Sequence, residues 1–570
     1  MTGRPPAGRL VAMFVVLALG LGTVAGRLVL LRVRDADQLR ALARDQRIRE
    51  VTVPAERGTI YDRDLDELAI SLPARAVYAN PALVEAPGRV AERLAPFLRV
   101  SERSIRTQLS SGQPFVYLAR RVDLTRAERI ERLELPGIGF LDEAKRYYPG
   151  GEVASHVLGY VGVDDVGLAG IELQHDDLLS GRPGKLVIEQ DPAGRPIPQG
   201  ERSSVAPVPG RDVVLTIDRD LQFQAQRALE GAVRANGARG GAVIVMRPQT
   251  GEVLAMATAP TFDANEFDST PVELTKNRSV TDVYEPGSVN KVITISAALE
   301  EGVVGLRRTF SIPDTWRVAD KVFHDSHPHP TMPMTVTDIV AQSSNVGTIQ
   351  IAQRLGAERL DRYLRGYGFG RATGVGFPGE ADGILMPAED WWGTSLGTIP
   401  IGQGIAVTPL QMASVYATIA NGGVRVAPRL VRGTMGTDGR VVPSPDPERH
   451  RVVSERTARR VTGMLARAVQ SGTGQEAQVP GYWVAGKTGT AGKPLEDALG
   501  YSDQYVASFM GFVPARDPQL VVAAIIDEPS TVYGGVAAAP LFREVVRFAL
   551  AHLRIPPSGR PRIPPSVVDG

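Results

Sequence analysis

An α+β fold with a central antiparallel sheet, carried behind a single membrane-spanning helix, is what this 570-residue sequence predicts. Three observations carry the prediction. The region after Arg211 has strand patterns at both ends and helical periodicity in its middle. The region before it alternates short strand and helix signals and closes in Gly- and Pro-rich punctuation at 181–184 and 192–210. The N-terminus holds one long apolar run.

The elements follow in order. No residue from Leu10 to Gly26 is charged, and Leu28–Leu31 extends the run past Arg27 to 22 residues. That is about 33 Å of helix, enough for a ~30 Å hydrocarbon core with Arg27 reaching to the far interface. Arg4 and Arg9 precede it without any acid, so residues 1–9 are expected as a cytoplasmic tail and everything after Leu31 outside. A cleaved signal peptide has a shorter apolar region of ~7–15 residues, and Thr23–Ala25 makes a poor cleavage site, so 10–31 reads as a retained anchor. No later segment is apolar enough to span.

Residues 32–210 are expected to form a charged juxtamembrane helix around Gln38–Arg44 and an extended α/β pedestal, with helical runs at Ala91–Leu98 and Leu124–Leu133. Residues 211–554 form the α+β domain. It begins with a strand at 213–218, a helix capped by Asp218 and running through Leu221, Ala225 and Leu229, and a hairpin of 242–247 with 252–257. Strands at 482–490, 505–513 and 520–528 and a helix at Pro540–Leu553 complete it. The last 16 residues, 555–570, hold five prolines and read as a loose tail.

Composition excludes several function classes. With 43% hydrophobic and 22% charged residues the chain folds, and its 60 Gly and 43 Pro stay below the ~25–30% share that marks low complexity. The 64 basic and 63 acidic residues leave a net charge of +1, without the basic surplus of a nucleic-acid binder. Zero cysteines exclude a thiolate nucleophile, disulfides, Fe–S clusters and Cys-type zinc sites. Only 7 of the basic residues are lysine, so a lysine inside a motif carries unusual weight.

Three short elements carry chemistry. Tyr284-Glu-Pro-Gly287 is a turn, and Val289–Glu300, closed by Gly302, is an apolar-periodic helix, so Ser288 sits at a helix N-terminus with Lys291 one turn on. A serine hydroxyl is a weak nucleophile until a base takes its proton, and a lysine of lowered pKa serves as one. Alone, the pattern also fits a helix cap beside a solvated lysine. Lys487-Thr-Gly-Thr490 lies on a strand; composition alone would produce Lys-Thr-Gly about 0.04 times in such a chain. Gly489 permits close approach by a substrate, Lys487 either binds a carboxylate or depresses Lys291 by repulsion, and the Thr488 and Thr490 hydroxyls suit a carboxylate. Between the helical runs Val336–Gln342 and Val346–Leu355 lies Ser343-Ser-Asn345, whose hydroxyl suits proton relay and whose amide suits orienting a lysine or substrate amide.

S-x-x-K, S-x-N and K-T-G in this order inside one domain are the signature of penicillin-recognising acyl-serine enzymes. From Val51 to about Leu553 the chain resembles the class B penicillin-binding proteins, peptidoglycan D,D-transpeptidases, and within them the septal, FtsI-type branch. Further matching segments are Arg57-Gly-Thr-Ile-Tyr-Asp-Arg63, Tyr147-Tyr-Pro, Ala154-Ser-His-Val-Leu-Gly159, Gly170-Ile-Glu172, Thr281–Ser288, Ser343–Gly347, and Gly402-Gln-Gly404 with Thr408-Pro-Leu-Gln411. Val289-Asn290 departs from the Thr-Val that relatives often carry.

The resemblance implies a transpeptidase domain, its antiparallel sheet sandwiched by helices, on a non-catalytic, dimerisation-type pedestal in the bacterial cytoplasmic membrane. It implies Ser288 as nucleophile, Lys291 as its base, Ser343 and Asn345 in relay and orientation, and Lys487, Thr488, Gly489 and Thr490 around the substrate. The backbone N–H groups of Ser288 and Thr490 would form the oxyanion hole. Stem peptides would lie along the 482–490 strand by β-augmentation, and β-lactams would acylate Ser288. No cofactor and no metal are implied. His324, Asp325, His327 and His329 look like metal ligands but lie in a Pro-rich loop. Implied partners are a polytopic SEDS-type glycan polymerase and division-complex proteins. Gly402–Gly404 is expected to shape a loop near the site, Thr408-Pro-Leu-Gln411 to cap a helix, and the Arg57–Arg63 box to organise the pedestal.

Four alternatives compete with this reading. A class A β-lactamase needs a Glu with Asn four residues on between S-x-N and K-T-G; Asn345 and Asn421 are the asparagines there, and neither has that Glu. A D,D-carboxypeptidase of the same superfamily also delivers the acyl group to water, a long pedestal and a membrane anchor fit wall synthesis better than drug hydrolysis, and a non-catalytic division scaffold would not require every motif residue. An elongation-specific sister enzyme is the nearest alternative to the septal reading.

Overall fold

This computed structural model describes residues 7–33, 48–189, 197, 202–436, 438–495, 500–531 and 533–558. The expected juxtamembrane helix around Gln38–Arg44 and tail residues 559–570 lie outside them. The chain divides into two compact units, Met1–Glu56 with Gly181–Pro209, and Arg57–Ser180 with Gly210–Gly570.

The smaller unit holds an apolar helix, Ala7–Val33, whose span Ala7–Arg32 has a mean hydropathy of 2.2. Among the described residues it is the one helix long and apolar enough to cross a membrane. The same unit has a three-stranded antiparallel sheet with Gly184–Glu189 between Ile48–Val53 and Arg202–Val205.

In the larger unit, the pedestal centres on the long strand Glu67–Ala79, paired antiparallel with Val116–Asp123 and Ile138–Tyr147. Helices Pro87–Leu98, Glu102–Leu109 and Leu124–Glu131 bury Leu94, Leu98, Ile105 and Ile130 against Val77 and Leu118 of that sheet. The first helix starts four residues before the expected Ala91 because Pro87, which has no N–H to leave unpaired, opens it.

The Arg57–Arg63 box is structural. Arg57, 1% exposed, donates from Nε to Glu172 at 2.7 Å and from Nη1 to Asp176 at 2.7 Å. Arg146 holds the other Glu172 oxygen at 2.6 Å. Asp62 accepts the Arg219 backbone N–H at 3.0 Å, joining the box to the start of the next helix.

The sheet continues from Glu67–Ala79 through Ile60–Tyr61 to Val213–Leu215, Val431–Met435 and Val441–Pro443. The strand expected at 213–218 is therefore shorter, and it extends the pedestal sheet instead of the central one. Past Leu215 its backbone turns away: the Thr216 hydroxyl donates to the Val253 carbonyl, and Asp218 becomes a helix cap.

The helix after it, α1 (Arg219–Ala235), has the Leu221 N–H bound to Asp218 as expected. Then come β1 (Gly240–Met246), β2 (Val253–Ala259), α2 (Lys291–Glu300), α3 (Val336–Gln342), α4 (Asn345–Leu355), α5 (Pro409–Ala420) and α6 (Glu455–Ser471). The chain ends in β3 (Ala485–Pro494), β4 (Tyr501–Val513), β5 (Leu520–Asp527) and α7 (Gly534–His552). The five central strands are ordered β2-β1-β5-β4-β3, all antiparallel, which is the sheet the sequence predicts from both ends of the domain.

Both faces of this sheet are covered. Val243, Val245, Phe509 and Val522 face Leu221 and Leu229 of α1 and Phe542 and Val546 of α7. Their neighbours Ile244, Met246, Met510 and Val521 face Ile293, Leu410, Val415 and Met464. This is why the strands read as unbroken apolar runs, and each large buried side chain contributes roughly 1.5–3 kcal/mol. Helix α7 begins six residues before the expected Pro540: Ala537–Ala539 favour helix, and Pro540 is tolerated inside. The capping box of Thr408 and Gln411, with Pro409 first in the helix, stands as expected.

Candidate active site

Ser288 lies in a single 3-10 turn, Gly287–Asn290, that runs into α2. Three glycines let backbone close on this turn. A Cβ on Gly489 of β3 would lie 3.1 Å from the Pro286 carbonyl and 3.0 Å from Val289 Cγ1. One on Gly287 (φ +58°) would lie 2.8 Å from the Thr490 carbonyl, and one on Gly402 (φ +81°) 2.2 Å from the Gly287 carbonyl. The Gly287 N–H donates to the Gly402 carbonyl at 3.0 Å. Gly402 thus shapes the loop beside the site as expected. A Cβ on Gly489 would also meet Ser508 Oγ of β4 at 2.4 Å, so this glycine lets β3 pack against both its neighbouring strand and the Ser288 turn. The turn is held from below by Asn290, whose amide donates to the Ile399 carbonyl at 2.8 Å, and by Tyr416, whose hydroxyl donates to Val289 at 3.1 Å.

Lys291 is 1% exposed. Its Nζ donates to the Ser343 carbonyl at 2.6 Å, to Asn345 Oδ1 at 2.7 Å and to Ser343 Oγ at 3.3 Å. The expected pairing with the Ser288 hydroxyl gives way to this set: Ser288 is half-buried, the Lys291 backbone N–H donates to its carbonyl, and no hydrogen bond joins its hydroxyl to Lys291 Nζ. The Ser343 carbonyl and Asn345 Oδ1, both close and well placed, outcompete a rotatable hydroxyl, and catalytic hydrogen bonds often form only once substrate is bound. Burial pushes Lys291 down to about 7, against an upward pull from Asp325. Ser343 itself is left-handed (φ +62°) at the C-cap of α3, a strained position that aims its carbonyl at the lysine.

Lys487 is equally buried, and its Nζ donates only to the Thr488 carbonyl at 3.2 Å and Oγ1 at 3.5 Å. Burial first, and then repulsion from Lys291, push it well below the ordinary lysine value. The Thr488 hydroxyl meets Thr473 Oγ1 at 2.7 Å, and Thr490 Oγ1 accepts the Gly534 N–H at 3.1 Å. Strand β3 is the outermost of the central sheet, so it has an edge beyond the Ser288 turn for an added strand.

Several residues at the site were not singled out from sequence as part of it. Asp325 accepts from Ser344 Oγ at 2.8 Å and from the Val346 N–H at 2.9 Å, and also from the Asn345 N–H. An acid at a helix start is favourable in itself, and this one pins the whole Ser343–Asn345 motif to α4. The Asn345 amide donates to the His324 carbonyl at 2.9 Å. The loop that looked like a metal site thus spends its carboxylate on backbone. Among the described residues no group of three or more metal-ligating side chains converges. Glu285 accepts from the Gly404 N–H at 2.8 Å and the Tyr501 hydroxyl at 2.9 Å, and Thr473 bonds Thr488. No spacing rule reaches these, since each partner lies many residues away.

The chain matches the penicillin binding protein transpeptidase domain over residues 241–547 and the penicillin-binding protein dimerisation domain over residues 52–215. It is 37% identical over 582 residues to the penicillin-binding protein PbpB of Mycolicibacterium smegmatis, covering 95% of this chain and 89% of that protein. It is 34% identical over 554 residues to the peptidoglycan D,D-transpeptidase FtsI of Escherichia coli K12, covering 95% and 91%. The crystal structure of penicillin binding protein 3 from Mycobacterium tuberculosis complexed with aztreonam superposes with a TM-score of 0.71 at 33% identity, over 89% of this chain and 98% of that one.

Proposed function

The chain belongs to the class B penicillin-binding proteins, and on that premise we propose that it cross-links peptidoglycan as a septal D,D-transpeptidase with Ser288 as nucleophile. Ser288 Oγ attacks the penultimate D-Ala carbonyl of a stem peptide, the C–N bond to the terminal D-Ala breaks, and the hydroxyl proton passes through Lys291 to the leaving amine. An amine of a second stem then takes the acyl group. The backbone N–H groups of Ser288 and Thr490 stabilise the tetrahedral oxyanion, and Ser343 and Asn345 hold and relay for Lys291. Lys487, Thr488 and Thr490 receive the carboxylate end of the substrate, and Gly489 lets β3 close on the nucleophile. The observation that carries this reading is Lys291: a lysine buried among the Ser343 and Asn345 oxygens, with no carboxylate bonded to it and pushed down to about 7, is able to accept a proton near neutral pH.

The domains proposed are the cytoplasmic tail 1–9, the anchor 10–31, the pedestal 32–210, the transpeptidase domain 211–554 and the tail 555–570. The positive flank supports an N-terminus inside and a catalytic domain outside. The pedestal is the surface offered to a SEDS-type glycan polymerase and to division proteins, and β-lactams acylate Ser288. The test is a fluorescent penicillin incubated with the full chain in detergent, beside Ser288→Ala. A covalent band in the unaltered protein alone supports the assignment. A band that survives in Ser288→Ala means that the nucleophile is another residue.

A further inference from the structure

This inference rests on Ser288, Lys291 and the Ser343–Asn345 motif being the acylating centre. Asp325 anchors that motif, and one further side chain holds Asp325. His329 Nε2 lies 3.1 Å from Asp325 Oδ2, the oxygen that also receives Ser344, while His329 Nδ1 lies 2.8 Å from the Pro330 carbonyl. Both ring nitrogens therefore face acceptors. A neutral imidazole has one N–H and serves one of them; only the imidazolium serves both. The two side chains are 15% and 7% exposed.

We propose that His329 is a positioning residue: as a cation it clamps Asp325 against the start of α4, and so holds Ser343 and Asn345 where they receive Lys291. The charged groups acting on the ring are acids, Asp325 on its own loop and Asp314 in the segment whose carbonyl accepts the Asp325 N–H at 3.2 Å. His324 and His327 of the same loop point to solvent, and Lys291 lies beyond Asp325. The Pro330 carbonyl and then Asp325 raise His329 above its ordinary value. Losing the ring proton removes one of its two bonds. Asp325 then turns more freely away from the N–H groups of Asn345 and Val346, and the oxygens around Lys291 lose their fixed places.

Two opposed titrations follow. Acylation needs Lys291 neutral, which favours high pH, and His329 charged, which favours low pH, so the rate peaks between them. The test is the rate of acylation by fluorescent penicillin, from about pH 5.5 to about 9.5, on the full chain and on His329→Ala and His329→Arg. In His329→Ala the maximum is expected to fall about tenfold or more, since small misplacements near reacting groups cost up to ~100-fold, and the alkaline limb disappears. In His329→Arg, a permanent cation, the limb also disappears but the rate stays near that of the unaltered protein. A His329→Ala profile superimposing on the unaltered one overturns the proposal, as does an alkaline limb unchanged in His329→Arg.

Should His329→Ala not fold, amide exchange of residues 343–347 in the unaltered protein decides. Corrected for intrinsic pH dependence, it is expected to rise as His329 deprotonates, and constant protection overturns the clamp. An unaltered protein that takes no label, or a label surviving in Ser288→Ala, overturns the acylating-centre reading and the clamp with it. Normal labelling with unchanged His329 variants overturns the clamp alone.

Discussion

The molecule buries charge in two places and treats it in opposite ways. In the pedestal, Arg57 and Arg146 share Glu172, and Asp176 takes a second nitrogen of Arg57. At the active site Lys291 and Lys487, each 1% exposed, meet only neutral oxygens, and among the described residues neither forms a salt bridge. A buried cation with a carboxylate on it stays charged and acts as a structural tie. A buried cation without one is destabilised in its charged form and its pKa falls, which is what a proton acceptor needs. The difference between a rivet and a base lies in the partner, not in the depth of burial.

Lys291→Met tests this difference at its strongest point. Acylation is expected to fall by about 10²–10⁴-fold, the range for losing a general base, while stability at neutral pH rises by about 1–4 kcal/mol as an unpaired buried cation is replaced by an apolar chain of similar length. The pH dependence has a definite sign. The folded value of about 7 lies below the ~10.4 of an unfolded chain, so between the two the unfolded state binds more protons. Stability of the unaltered protein therefore climbs with pH across that window and is lowest below about 7. Urea unfolding at several pH values reads this, and the slope shrinks in the variant. A loss of stability in Lys291→Met at neutral pH breaks the comparison.

Arg57→Met is the opposite experiment. It leaves Glu172 with Arg146 as its one cation and Asp176 without its buried partner, and the expected loss is about 3–5 kcal/mol by denaturant unfolding. Acylation per folded molecule is expected to stay as it was, because Ser288 depends on nothing in this cluster. A stable Arg57→Met with slow acylation would mean that the pedestal cluster acts on the site.

How much of this was legible beforehand follows the same division. Helices α3 and α4 with Ser343–Asn345 between them, the Thr408 cap and three edge-to-centre strands are local patterns, and period and capping rules find them within a few residues. The motif lysines were found because lysine is rare in this chain. What escaped depends on distant partners. Asp325 meets its motif across a long loop, Val213–Leu215 pairs with Ile60–Tyr61 and not with the central sheet, and Gly489 admits the Ser288 turn. The direction taken by Lys291 escaped as well: helical spacing puts Ser288 within reach, but only the tertiary fold brings the competing oxygens of α3 and α4.

His156 separates uncompensated burial from catalysis, with the smallest expected effect. It lies away from Ser288, 5% exposed, its Nε2–H donating to the Leu274 carbonyl at 2.9 Å and its ring edge-on to Phe262 at 5.0 Å. No acid faces it, and burial lowers it to about 4. Between about 6.5 and 4 the unfolded chain takes up a proton that the folded chain refuses, so stability present above about 6.5 is lost as pH falls, by about 3 kcal/mol at the bottom of the window. His156→Gln keeps a donor for Leu274 but cannot titrate. At pH 7 it is expected to be less stable than the unaltered protein by about 1 kcal/mol, and near pH 4 more stable, so the two curves of stability against pH cross. Acylation at neutral pH is expected to be unchanged, because a buried group without a counter-charge becomes a base only where a reacting hydroxyl can reach it. Parallel curves would mean that His156 is not the group whose protonation limits stability in acid.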